Sequence, residues 1–313
     1  MKKTLLTGAL ALFLGLGGVR ADEKTLDISY VKAPFNLQMI VMKERGLLEK
    51  RAGAIGLKVK WHEITSGAKQ AQALASGDLD VAGVMNTASV LMANGEGNAV
   101  RIIAGVSRPT GTFAIVAGKD GVASIAGLKG KKVAGPKGTV LHQLLVAALA
   151  RNGLAMSDVQ FVQMEIPQAF AALQGGQVDA ALLAAAAVIK AGQEGARVLA
   201  TADGLVVPKL VMASSEKTVK AHPDWIEAAV AAHDEAGRWI AEHEAEAVAL
   251  GAKIQGLAVE DAQKLYDGSH FTQRLGQSDI DSMGDDIRFM LDNGMMRNAP
   301  DVGAIILPRA LER

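Results

Sequence analysis

Ala73-Leu74-Ala75-Ser76-Gly77-Asp78-Leu79-Asp80-Val81-Ala82 returns, thinly disguised, as Ala172-Leu173-Gln174-Gly175-Gly176-Gln177-Val178-Asp179-Ala180-Ala181. Each copy reads as the end of a helix, a glycine turn, and a strand entered through aspartate. Any helix–glycine–strand junction has some of these marks. A second copy of the same junction in the same order implies two similar α/β lobes, each offering a strand end to a shared cleft. Open α/β sheets bind ligands beyond the carboxyl ends of their strands, so a cleft between two such edges is a natural site.

The flanking sequence supports that reading. From Thr25 to Ala200, short apolar runs alternate with helix-like stretches, the pattern of βαβ units. Strands are predicted over Leu26–Val31, Leu57–Ile64, Leu79–Val84, Ile102–Val106, Phe113–Ala117, Lys131–Ala134, Val159–Met164, Val178–Leu183 and Arg197–Ala200. Leu37, Ile40 and Val41 mark one face of a helix that stops at Gly46, Lys69–Ala75 and Thr87–Ala93 are further helices, and Thr139–Asn152 is a longer one closed by Gly153. Beyond His222 the chain is mainly helical, with Ile226, Ala229, Val230, His233, Gly237 and Ile240 on one face. The expected division is a lobe of 25–112 plus 207–313 and a second lobe of 113–206.

The N-terminus is expected to be an export signal over residues 1–21: Lys2 and Lys3, an apolar run from Leu5 to Leu16, then Val19-Arg20-Ala21 as a small-x-small cleavage site. That run is too short to span a bilayer, and the mature chain is expected to begin at or near Asp22. The balance of 33 basic and 33 acidic residues gives no support for a nucleic-acid or membrane-surface role. With 0 cysteines there is no disulfide, thiol nucleophile, zinc–thiolate site or lipidated N-terminal cysteine. An exported chain without a tether points to the periplasm.

Catalytic and cofactor patterns are equally thin. Ser214-Ser215 lacks the glycines of a nucleophile elbow, and Gly127-Leu128-Lys129-Gly130-Lys131-Lys132 lacks phosphate-loop spacing. The 6 histidines are scattered and no H-E-x-x-H occurs. Only His142 stands out, in the first turn of a helix expected at the cleft. No cofactor is implied.

Three helix starts are better candidates for binding: Ser66-Gly67, Asn86-Thr87 and Gly138-Thr139-Val140. Free N–H groups and the helix dipole at such starts suit an anionic head group. Ser, Thr, Asn and Gly also cap helices everywhere. All three at strand-to-helix junctions on one sheet edge would make a site.

Leu128-Lys129-Gly130-Lys131-Lys132-Val133-Ala134-Gly135-Pro136-Lys137-Gly138-Thr139 resembles a segment of the sulfonate-, taurine- and nitrate-binding proteins of ABC importers. Glu44–Lys50, Ser66-Gly67 through Asp80, Leu144 through Ala180, and His222-Pro223-Asp224 continue the likeness in order over essentially the whole mature chain. The resemblance implies a type 2 periplasmic binding fold, with two α/β lobes, two crossover strands and the ligand in the cleft. It implies a non-enzymatic monomer that hands a small, sulfonate- or nitrate-like anion to a membrane permease coupled to a cytoplasmic ATPase. The implied site comprises Pro34, Phe35 and Asn36, Ser66 and Gly67, Asn86 and Thr87, and Gly138, Thr139 and Val140. Arg108, beside the first crossover, faces the cleft or forms a surface ion pair. One stretch departs from the pattern: sulfonate-binding relatives often carry a Trp-rich segment where this chain has Ala181-Leu182-Leu183-Ala184-Ala185-Ala186-Ala187. Small side chains there imply a roomier pocket or a different ligand. Two other readings accompany the fold: a relative of the thiamine-precursor synthase, and a protein that presents its ligand to a sensory receptor.

Overall fold

The computed structural model describes residues 24–109 and 111–312, so the expected export signal lies outside the described residues. Ten strands form two five-stranded sheets. The strands are β1 (Thr25–Ser29), β2 (Lys58–His62), β3 (Val81–Asn86), β4 (Val100–Ser107), β5 (Phe113–Ala117), β6 (Lys132–Gly135), β7 (Gln160–Gln163), β8 (Ala180–Ala184), β9 (Arg197–Thr201) and β10 (Leu210–Ser215). One sheet runs β2-β1-β3-β10-β4 and the other β7-β6-β8-β5-β9.

The two orders are the same topology. In each, three parallel strands are followed by an antiparallel strand, β10 or β5, that the chain supplies next to a crossing between the sheets. The central strands β3, β5, β8 and β10 are almost continuously buried, as strands covered on both faces must be. The edge strands β2 and β7 carry Lys58, Lys60, Gln160 and Gln163, which discourage pairing with another chain.

The helices before the chain's last crossing are α1 (Leu37–Glu44), α2 (Leu47–Gly53), α3 (Gly67–Ser76), α4 (Thr87–Gly95), α5 (Val140–Arg151), α6 (Ile166–Gln174) and α7 (Ala186–Gln193). After β10 come α8 (Glu216–Ala221), α9 (Pro223–Glu242), α10 (Glu244–Gln255), α11 (Val259–Asp267), α12 (Gln277–Asp292) and α13 (Val302–Ile305). The long helix α9 packs on α1 and α2, burying the predicted face of Ile226, Ala229, Val230, His233 and Ile240.

The repeated junction is a repeated piece of chemistry. Asp80 accepts a hydrogen bond from the Asp27 N–H of β1 at 2.9 Å, and Asp179 accepts one from the Lys132 N–H of β6 at 2.8 Å. Their own N–H groups donate back to the carbonyls of Asp27 and Lys132. Gly77 and Gly176 hold the left-handed turn before each, with φ of +86° and +65°. Each aspartate therefore fixes the register of a parallel strand at its entry.

Four segments depart from the expected pattern, among them α2 (Leu47–Gly53), which follows directly on the expected stop at Gly46. Strand β10 was not predicted, and its Ser214 is a buried ladder residue that donates to the Asp80 carbonyl at 2.6 Å. Helices α6 and α7 were not delimited either. Both are short and rich in alanine, and Ala191 is the one residue of α7 that is fully buried.

Candidate functional site

A cavity of about 50 Å³ lies where the carboxyl ends of the two sheets face each other. Pro34, Gly67, Asn86, Thr139 and Val140 line it together with Thr65, Gln70, Phe113, Ile166 and Leu210. No charged side chain is in its wall. Polarity comes from hydroxyls, amides and helix-start N–H groups, the equipment for recognising an anion by hydrogen bonds rather than by ion pairing.

Asn86 is its hub. It ends β3 in an extended conformation and begins α4, and its Oδ1 accepts from Ser89 N at 2.9 Å, with Ser89 Oγ 3.0 Å away. The same oxygen accepts from the Val140 N–H at 3.2 Å, at the first residue of α5. One amide oxygen of the first sheet's side thus meets the N-termini of two helices, one from each side of the cleft. Ser89 Oγ donates across the cleft to the Gly138 carbonyl at 2.7 Å. Gly138 needs its left-handed φ of +71° to present that carbonyl, and Gly67 lets the chain pass close to Ser89, into which any Cβ would collide.

Thr139 is buried, and its hydroxyl donates to the Pro136 carbonyl at 2.9 Å; it makes no cap hydrogen bond to its own helix. The hydroxyl expected to add a donor for the anion therefore neither caps α5 nor stands free: it braces the turn that aims the α5 N–H groups. The remaining candidates divide. Ser66 caps α3 by accepting from Lys69 N at 3.4 Å, behind the cavity wall. Thr87 is buried in the first turn of α4 without lining the cavity. Asn36 is buried, and its amide donates to the carbonyls of Val31 and Ala33 at 2.7 and 2.9 Å, which shapes the loop that carries Pro34. Phe35 turns the other way and, like Leu37, packs over Gly251.

Arg108 forms an ion pair, as the second of its two expected roles has it, but with the buried Asp279 and not at the surface. Its Nε donates to Asp279 Oδ1 at 2.8 Å and its Nη2 to Oδ2 at 2.5 Å, with Glu312 at 3.6 Å, and it does not line the cavity. Burial alone would raise the Asp279 carboxyl, but Arg108 and the Gly276 N–H hold it below its ordinary range. His142 is in the first turn of α5 as expected, but it faces Phe161 (ring centroids 5.3 Å apart) on the far side of the Ser89–Gly138 contact. Burial, with the Lys137 charge, lowers its pKa to about 4.

Ser89 and Glu165 were missed from the sequence. Ser89 is the third residue after the Asn86 cap, so the Asn-x-x-Ser spacing was the available signal. Glu165 begins α6 and accepts from Thr65 Oγ1 at 3.1 Å and from Lys69 Nζ at 3.0 Å, bridging the mouth of the cleft. Nothing local to Glu165 announces a partner a hundred positions away. No residue of the Ala181–Ala187 run lines the cavity. Its first four residues belong to the buried strand β8, and the apolar wall comes from Phe113 and Ile166 instead.

Similarity to known proteins follows this geometry. The chain is 27% identical over 259 residues to a putative aliphatic sulfonates-binding protein of Escherichia coli, covering 82% of this chain and 79% of that one. It is 30% identical over 267 residues to a protein of the same description from Bacillus subtilis, with 82% and 80% covered. Among solved structures, the alkanesulfonate-binding protein SsuA of Xanthomonas axonopodis superposes with a TM-score of 0.80 at 23% identity, over 90% of this chain and 98% of that one. That likeness shows the two-lobed type 2 periplasmic binding fold. The fold also extends to an enzyme, the desulfurization enzyme DSZB, at a TM-score of 0.65 and 16% identity, with 91% and 96% covered. The family model described as NMT1/THI5 like matches residues 37–247, well over half of the chain, and the protein belongs to that family.

Proposed function

We propose that this protein is the periplasmic solute-binding component of an ABC importer, and that it closes on a small organic anion of the sulfonate class. The observation that carries this reading is the meeting of Asn86 Oδ1 with the Val140 N–H at the junction of α4 and α5. When the lobes part, that N–H loses its partner, and an acceptor-only oxygen of the solute takes the place of the amide oxygen. A sulfonate has three such oxygens. Ser89 Oγ, which gives up the Gly138 carbonyl on opening, is the next donor within reach.

The lobes in this reading are 25–112 with 207–313, and 113–206. The chain is exported on the signal of residues 1–21, works as a monomer, and docks on a permease driven by its cytoplasmic ATPase. Binding without chemistry is favoured over an enzymatic role, because the cavity wall holds no carboxylate, histidine, lysine or cysteine to serve as acid, base or nucleophile. Presentation of the solute to a sensory receptor uses the same closure; neighbouring permease and ATPase genes would favour import.

A thermal-shift screen of the protein purified from the periplasm tests this. Taurine, ethanesulfonate, nitrate and acetate are the panel, since a ligand that binds only the folded state raises the melting temperature. A rise with at least one sulfonate is expected. No shift with any of the four would overturn the reading.

A further inference from the structure

We propose that a groove beside the cleft is a second small-molecule site, and that it takes an organic anion with a bulky apolar body. The groove is formed by α4, α5, β7 and the segment after α12, and encloses about 720 Å³. That volume lies within the range of about 300–1,000 Å³ that ligand pockets occupy. It shares no lining residue with the cleft cavity, and Gly138, whose carbonyl accepts from Ser89, is in its wall.

Its floor is apolar and adaptable. Met92, Met156, Met295 and Phe161 line it, all half-buried, and flexible thioethers fit themselves to varied apolar shapes. Its rim is cationic. Lys137 and Arg297 line the groove, and neither pairs with a carboxylate among the described residues; Glu96 is the one acid in the lining. Beneath them sits His142, 8% exposed, whose Nδ1 accepts a long 3.5 Å hydrogen bond from Gly138 N and whose Nε2 makes none within the described residues. With its pKa near 4 the ring is neutral at pH 7, so it meets a ligand as a hydrogen-bonding group and not as a charge. Two unspent cations over a methionine and phenylalanine floor complement a molecule with one anionic end and a wide apolar end.

Fluorescence titration of the full exported chain at pH 7 with 1-anilinonaphthalene-8-sulfonate tests the site. Saturable binding of one dye per chain is expected. The double charge reversal Lys137→Glu/Arg297→Glu, at two exposed positions that leave the fold intact, should weaken it at least tenfold, and Phe161→Ser should do the same. The cleft variant Val140→Pro should leave dye affinity unchanged. Dye binding that survives the charge reversal or that disappears in Val140→Pro would overturn the proposal without touching the cleft reading. Failure to saturate would overturn it as well.

Discussion

Ala185 holds φ +42° and ψ −109° where β8 turns into α7, a conformation that a Cβ opposes. It is buried, and its N–H donates to the Thr112 carbonyl at 2.7 Å, beside the first crossing between the sheets. Strain of this kind is worth about 1–3 kcal/mol, against a glycine entropy cost of about 0.5–1 kcal/mol. Ala185→Gly is therefore expected to raise stability by roughly 1 kcal/mol, read from the urea midpoint at unchanged slope. A lower midpoint would show that the position is relaxed. No sequence pattern announces this residue, because alanine ordinarily means helix and the partner of its N–H, Thr112, lies far away in sequence. The Asn86, Gly67, Gly138 and Val140 candidates were legible, since strand-to-helix junctions carry their own signals. Arg108 was legible only as two alternatives, because its partner Asp279 comes from a helix 171 positions away.

At the scale of elements, α9 carries a buried titrating group. His233 is fully buried on its inner face, both ring nitrogens lack partners, and burial lowers its pKa to about 4 despite the attraction of Asp234. The folded state therefore holds this ring neutral, while the unfolded chain protonates it near 6.5. Stability from this group is fully present above pH 6.5 and falls as pH drops toward 4. His142 on α5 acts in the same direction. Each histidine should remove about 2 kcal/mol between pH 7 and pH 5. Urea denaturation at the two pH values checks this, and His233→Leu should reduce the loss by about half. An equal loss in that variant would place the titration elsewhere. The helix itself was legible from its apolar spacing. The repeated junction was legible too, but as a pattern; that Asp80 and Asp179 each clasp the neighbouring strand needed the fold.

The whole molecule is held in a closed form by contacts that cross between the two sheets' sides. Thr65 and Lys69 meet Glu165 at the mouth, Asn86 and Ser89 meet α5 within, and Gln143 of α5 donates to Asp286 of α12 at 2.7 Å. Asp286 also receives the buried Lys209, 3.3 Å away, from the segment that returns the chain to the first sheet. This network ties both sides to the return crossing. Asp286→Ala leaves Lys209 buried and uncompensated, and should cost about 3–5 kcal/mol. The pair Lys209→Met with Asp286→Leu should cost clearly less, as apolar replacement of a whole buried ion pair commonly does. Chemical denaturation of both variants decides; equal losses would mean that packing, not charge, holds the crossing. None of these long-range partners was readable from the sequence, because each joins segments that only the paired sheets bring together.

The central claim is that the first N–H of α5 receives the solute's anionic oxygen, and Val140→Pro isolates that one atom. Proline is well suited to the first position of a helix, and Thr139 before it is extended, at φ −133° and ψ 171°, as a residue preceding proline should be. The variant loses the N–H, and with it the hydrogen bond to Asn86 Oδ1 in the closed form. Calorimetric titration should show binding of the sulfonate identified by the thermal screen weakened about ten- to a hundredfold, since a hydrogen bond to a charged group is worth roughly 1.5–3 kcal/mol. Undiminished affinity in a folded Val140→Pro protein would contradict the account.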